Sequence, residues 1–213
     1  MVDTDGTITS KHFESNLFLR ASADQLLRAA GGEDIERTPL PASPSEVTVD
    51  IAFDGPTLGS GILRDLVIRF AVPEGQHLYG EPVPDGMVAT SVVLDDDVGL
   101  VSRPAVLPPT TAHTLAGTGE VLQVFDGDVT IRVPITHNGR SITRRSDGIR
   151  VQQVSGTIRW QACDAAVCRL PSTHRFDLEI PTTRLNDLEL DRPPGSTSMD
   201  FAAHFTAMIE RRA

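Results

Sequence analysis

The chain has 213 residues, 39% of them hydrophobic and 23% charged, and a formal net charge of −10. That length allows one or two domains with a sizeable core, and the acidic balance argues against a nucleic-acid-binding surface or a polybasic membrane patch. No apolar run approaches the roughly 18 residues of a membrane span, and two cysteines do not make a disulfide-dense scaffold.

Residues 1–32 read as a short hairpin and a helix. Val2-Asp3-Thr4-Asp5-Gly6-Thr7-Ile8 places a turn of the Asp-Gly kind between two short apolar runs. Ser22 and Gln25 have the spacing of a capping box, Leu26, Leu27, Ala29 and Ala30 follow as an apolar patch, and Gly31-Gly32 stops the helix. A hairpin and one helix cannot bury a core alone, so this piece must lean on the rest of the chain or on something missing. Met1 to Ser10 is polar and acidic, unlike a secretory leader. Residues 33–45 form a linker stiffened by Pro39, Pro41 and Pro44.

From 46 to 182 the pattern changes to strands. Val47, Val49 and Ile51 alternate with Thr48 and Asp50, and Leu66, Ile68 and Phe70 alternate with Val67 and Arg69. Similar runs occupy 89–94, 121–125, 129–135, 149–154 and 176–180, with Asp126-Gly127 and Asn138-Gly139 as tight-turn signals. Period-2 patterning between turn residues predicts an antiparallel β-sandwich. Residues 183–213 form a tail. Its end reads as a helix capped by Thr197, with Phe201, Phe205 and Met208 on one face, which either docks on the sandwich or binds a partner.

Both cysteines and the only tryptophan fall in one stretch, Trp160-Gln161-Ala162-Cys163-Asp164-Ala165-Ala166-Val167-Cys168-Arg169-Leu170-Pro171. Three readings compete: a structural staple, a metal half-site and a redox pair. A metal site needs three or four ligands, and only His174 lies close in sequence. A disulfide across so short a loop restricts the unfolded chain less than a long loop would, which weakens the staple and favours exchange chemistry. Arg169 would favour a thiolate at Cys168, and Asp164 would oppose it.

The stretch from Val154 to Pro171 resembles the active-site hairpin of the N-terminal domain of the thiol:disulfide interchange protein DsbD: an aromatic residue, Gln, a small residue, Cys, a short spacer containing an acidic residue, Cys and then Pro. Gly75-Gln76-His77-Leu78-Tyr79 is similar to that family's Gly-x-x-Leu-Tyr segment, and Gly117-Thr118-Gly119-Glu120-Val121 to its Gly-x-x-Glu-Val run. The resemblance implies an immunoglobulin-like sandwich acting as a thiol:disulfide oxidoreductase. Electrons would pass through mixed disulfides between Cys163–Cys168 and thioredoxin-fold redox proteins or a membrane electron-transfer module. It makes Cys168 the partner-attacking thiol and Cys163 the resolving one. Tyr79, Trp160, Gln161, Asp164, Arg169 and Pro171 are then near-site candidates. The family caps its cysteines with an aromatic just before the Gly-x-x-Glu run; here that position falls on Leu115, with His113 and Thr114 in place of acidic residues. The family domain is periplasmic.

The bland alternative for Tyr79 and Trp160 is core packing, and His77, His113 and His174 read as structural or solvated rather than catalytic. Neither a metal nor any cofactor beyond the disulfide is expected. Residues 1–32 resemble the final hairpin and helix of a thioredoxin-fold redoxin of the peroxiredoxin class, which suggests a fusion. The rival reading of the whole is a non-catalytic sandwich that binds protein partners and carries a structural disulfide.

Overall fold

The computed structural model describes residues 4–8, 19–31, 46–114, 119–164 and 167–183. In chain order these form β1 (Arg20–Ala21), α1 (Ala23–Ala29), β2 (Thr48–Phe53), β3 (Leu58–Gly59), β4 (Ile62–Ala71), β5 (His77–Tyr79), β6 (Ser91–Leu94) and β7 (Leu100–Ser102). They continue with β8 (Thr111–Thr114), β9 (Val121–Asp126), β10 (Val129–His137), β11 (Thr143–Arg144), β12 (Arg150–Trp160), β13 (Ala162–Cys163) and β14 (Ser172–Thr183). The chain is mainly β: a sandwich, as the alternation predicts, and immunoglobulin-like, as the resemblance implies. Residues 33–45, Leu115 and the predicted C-terminal helix lie outside the described residues.

One sheet runs β1-β4-β10-β7, with β2 also paired to β4; a second runs β11-β12-β14-β3, with β6 paired to β12; a third runs β13-β5-β9-β8. Pairing is antiparallel except for the two-residue matches of β1 with β4 and of β14 with β3. The main core forms where the first two sheets face each other. Leu66, Ile68 and Phe70 of β4 and Val129, Ile131, Val133 and Ile135 of β10 meet Val154, Ile158 and Trp160 of β12 and Phe176 and Ile180 of β14. These are the inward positions of the alternating runs, and each large apolar side chain fully buried contributes about 1.5–3 kcal/mol. Gly156 is required where β12 passes β6 and Phe176, since a Cβ there would meet the Val93 carbonyl oxygen at 2.6 Å.

The two turn signals hold: Gly127 (φ 70°) links β9 to β10, and Gly139 (φ 88°) follows β10. At the N-terminus, Asp5 accepts from the Thr7 amide at 2.8 Å, and Gly6 adopts φ 85°. The capping box forms as well: Ser22 Oγ accepts from the Gln25 amide, and Gln25 Oε1 accepts from the Ser22 amide.

Helix α1 leans on β4. Arg28 Nη1 donates to Asp54 Oδ2 at 2.6 Å, and its other terminal nitrogen pairs with Asp65. Gln25 Nε2 donates to Asp65 Oδ1 at 2.6 Å, and Arg64 Nη1 pairs with Asp24 at 2.7 Å. Asp54 and Asp65 are buried, so Arg28 supplies countercharge where water does not reach.

Candidate functional site: a disulfide hairpin on a second small core

The cysteine hairpin is the connection between β12 and β14. Those strands pair from Val151↔Pro181 up to Trp160↔Ser172. Beyond Trp160 the chain changes sheets, and Ala162–Cys163 pairs with β5 as Ala162↔Leu78 and Cys163↔His77. The chain then folds back on itself. The Arg169 amide donates to the Ala162 carbonyl at 2.9 Å, the Asp164 amide donates to the Val167 carbonyl at 3.0 Å, and the Val167 amide donates to Asp164 Oδ1 at 2.8 Å. This pinch brings the Cα atoms of Cys163 and Cys168 to 4.1 Å, and the two sulfurs are bonded.

Strand alternation sorts the candidate residues onto two faces. Trp160 and Ala162 enter the main core, where the Trp160 ring meets Phe70 edge-on at 5.6 Å between centroids. Gln161 and Cys163 take the opposite face. There Cys163 joins Tyr79, Leu122 and Val124 in a second, smaller core, against which Val83 and Met87 pack. The structure thus brings Tyr79 to the cysteines and turns Trp160 away from them.

The two thiols have unlike surroundings. Cys163 is 2% exposed, whereas Cys168 is exposed between Val167 and Leu170, themselves 60% and 88% exposed. The Tyr79 hydroxyl lies 3.1 Å from Cys168 Sγ, and burial pushes the Tyr79 phenol above its ordinary value, so it keeps its proton. Gln161 is buried and acts as a fastener: its Oε1 accepts from the Val88 amide and its Nε2 donates to the Arg169 carbonyl, both at 2.9 Å. Asp164 is half-buried at the hairpin bend, while Arg169 and Pro171 are exposed beyond it.

Two histidines that read from sequence as structural or solvated lie at the site. His77 is buried directly across the ladder from Cys163, and its ring lies 5.8 Å from Tyr79 and 5.2 Å from His113 on the exposed strand β8. Burial lowers the His77 pKa below its ordinary value; the nearby His113 adds to this, while Asp126 and Asp164 oppose it. Counting two residues back from Tyr79 would have placed His77 on the same face. His174 is exposed on β14 opposite Ile158. Among the described residues no group of three His, Cys, Asp or Glu side chains is arranged to hold a metal ion, and no helix is long and apolar enough to cross a membrane.

Residues 47–180 match the family described as thiol:disulfide interchange protein DsbD, N-terminal. Among solved structures, the chain is similar to the DsbD N-terminal domain of Neisseria meningitidis in its reduced form, at 13% identity and a TM-score of 0.39, over 67% of this chain and 90% of that one. It is also similar to the N-terminal periplasmic domain of ScsB from Proteus mirabilis, at 14% identity and a TM-score of 0.41, over 81% of this chain but only 56% of that one. No curated protein matches. The family match begins at residue 47 and lends no support to the redoxin likeness of residues 1–32. With the match spanning both cysteines and most of the sandwich, the chain belongs to the family of DsbD N-terminal domains.

Proposed function

We propose that this chain is a thiol:disulfide oxidoreductase domain that passes electrons between redox partners through Cys163 and Cys168. The observation that carries the reading is the asymmetry of the pair: an exposed Cys168 beside a tyrosine hydroxyl, bonded to a buried Cys163. Exchange needs one sulfur that a partner can reach and one that stays behind to resolve the mixed disulfide. Cys168 forms the mixed disulfide, and Cys163 displaces the partner. Exposed Val167 and Leu170 offer apolar flanks against which a thioredoxin-fold redox protein, or the redox module of a membrane electron-transfer protein, seats its own cysteine pair. The disulfide itself carries the two electrons.

The reduction potential of the pair, measured by equilibration against glutathione, tests this. A potential above about −300 mV is expected of an exchanging pair, and one well below it marks a structural staple.

A further inference from the structure

The resolving step has a difficulty that the surroundings of Cys163 make plain. The nucleophile in disulfide exchange is the thiolate, and an apolar environment disfavours it. Cys163 is 2% exposed, in a cluster with Tyr79, Leu122 and Val124. Water has little access to remove its proton, so a group within the fold must take it.

The groups that face this point come from four elements. On β5, Tyr79 stays protonated because of its burial and cannot accept. On the hairpin, Asp164 is engaged with the Val167 amide. On β9, Asp126 is the ladder partner of His77 on the side away from Cys163. His77 is the direct cross-strand partner of Cys163, on the same face, and such pairs have Cβ atoms about 4.5–5.5 Å apart. On β8, His113 stands edge-on to His77 with centroids 5.2 Å apart and is itself exposed.

Building on the proposed exchange function, we infer that His77 takes the proton of the Cys163 thiol in the resolving step and that His113 tunes it and hands the proton on to solvent. The step begins from the mixed disulfide between Cys168 and a partner sulfur. The Cys163 S–H bond breaks and its proton moves to the His77 imidazole. The Cys163 sulfur attacks Cys168 Sγ and the intramolecular disulfide forms. The partner sulfur departs as a thiolate with the electron pair of the broken bond, so this chain is oxidised and the partner reduced. Burial and the neighbouring imidazole keep His77 neutral at neutral pH, which leaves a ring nitrogen free to accept.

The test uses the full chain, reduced and mixed in a stopped-flow instrument with dithiobis-nitrobenzoate, an aromatic disulfide that releases a coloured thiolate. The first equivalent reports attack by Cys168 and the second reports resolution by Cys163. In the parent the second release stays nearly level over neutral pH and falls off in acid as His77 protonates. In His77→Gln it is slowed about tenfold or more at pH 7 and climbs with pH as the thiol ionises by itself. His113→Gln moves the acid inflection upward, because His77 loses a like-charged neighbour. A second release in His77→Gln with the parent's rate and pH profile overturns the inference. Should His77→Gln lose its far-UV strand signal, the His113→Gln inflection decides, and an unmoved inflection overturns it equally. A parent protein that never releases the second equivalent would instead sink the exchange function itself.

Discussion

The Tyr79 hydroxyl lies 3.1 Å from Cys168 Sγ, while the Tyr79 ring is buried beside Cys163. One side chain therefore touches both halves of the disulfide. With the disulfide open, the retained phenol proton can be donated to a Cys168 thiolate. A hydrogen bond to a charged group is worth about 1.5–3 kcal/mol, and exposure of Cys168 puts this one at the lower end. Since 1.4 kcal/mol is roughly tenfold in thiolate population, and the stabilised thiolate loses about half of that gain, on a logarithmic scale, in nucleophilicity, Tyr79→Phe should slow alkylation of reduced Cys168 by iodoacetamide about threefold at neutral pH. An unchanged rate would mean that the hydroxyl is a packing feature only.

Gln161 makes a separate prediction, about the scaffold rather than the chemistry. Its two bonds tie the hairpin at Arg169 to the segment at Val88. Gln161→Leu keeps the bulk but leaves the Val88 amide, on a half-buried residue, and the Arg169 carbonyl without these partners, at a cost of about 2 kcal/mol for the two bonds. For a domain of this size that corresponds to a fall of about 4–8 °C in Tm. Calorimetry of the oxidised protein checks this, and a loss below a degree would show that water replaces the side chain without penalty.

Much of the fold was legible because alternation reports burial directly. The runs at 47–51, 66–70, 121–125 and 129–135 became β2, β4, β9 and β10, with most of their apolar members inward and Val121 left exposed. The short strands β1, β3, β5, β7, β8 and β11 do not stand out in the sequence, since two to four residues carry too little periodicity. At the site, the motif identified the pair, but Trp160 and Tyr79 could not be told apart by type. Their faces differ because β13 continues the alternation of β12 while changing sheets, and only the fold shows which sheet that is. His77 and His113 are invisible as a pair because 35 residues of sequence lie between them, on two strands that β9 brings together.

Arg28 tests whether the N-terminal segment is part of the domain. Its guanidinium reaches Asp54 and Asp65, both buried, from a helix of only seven residues. A helix that short is not stable alone, so these contacts hold it in place. Removing one partner from a buried charge cluster typically costs 3–5 kcal/mol. Arg28→Ala should therefore destabilise the protein by about 3 kcal/mol in urea and expose residues 19–31 to proteolysis. A variant with the parent's urea midpoint would make the segment an appendage.

The assignment of the two thiols leads to the sharpest experiment. A partner sulfur can reach Cys168, which is exposed, far more readily than Cys163, which is 2% exposed and paired in the ladder with His77. A mixed disulfide forms on the reachable sulfur and is cleared by the other. Cys163→Ser leaves the attacking thiol in place and removes the one that clears the complex, so incubation with an oxidised thioredoxin-fold partner should accumulate a covalent adduct through Cys168. Cys168→Ser leaves only the buried thiol and should accumulate little. Non-reducing electrophoresis followed by peptide mapping reads both. Equal adduct from the two variants would remove the division of roles while keeping exchange. Absence of adduct from either, across several oxidised partners, would return the pair to a structural staple.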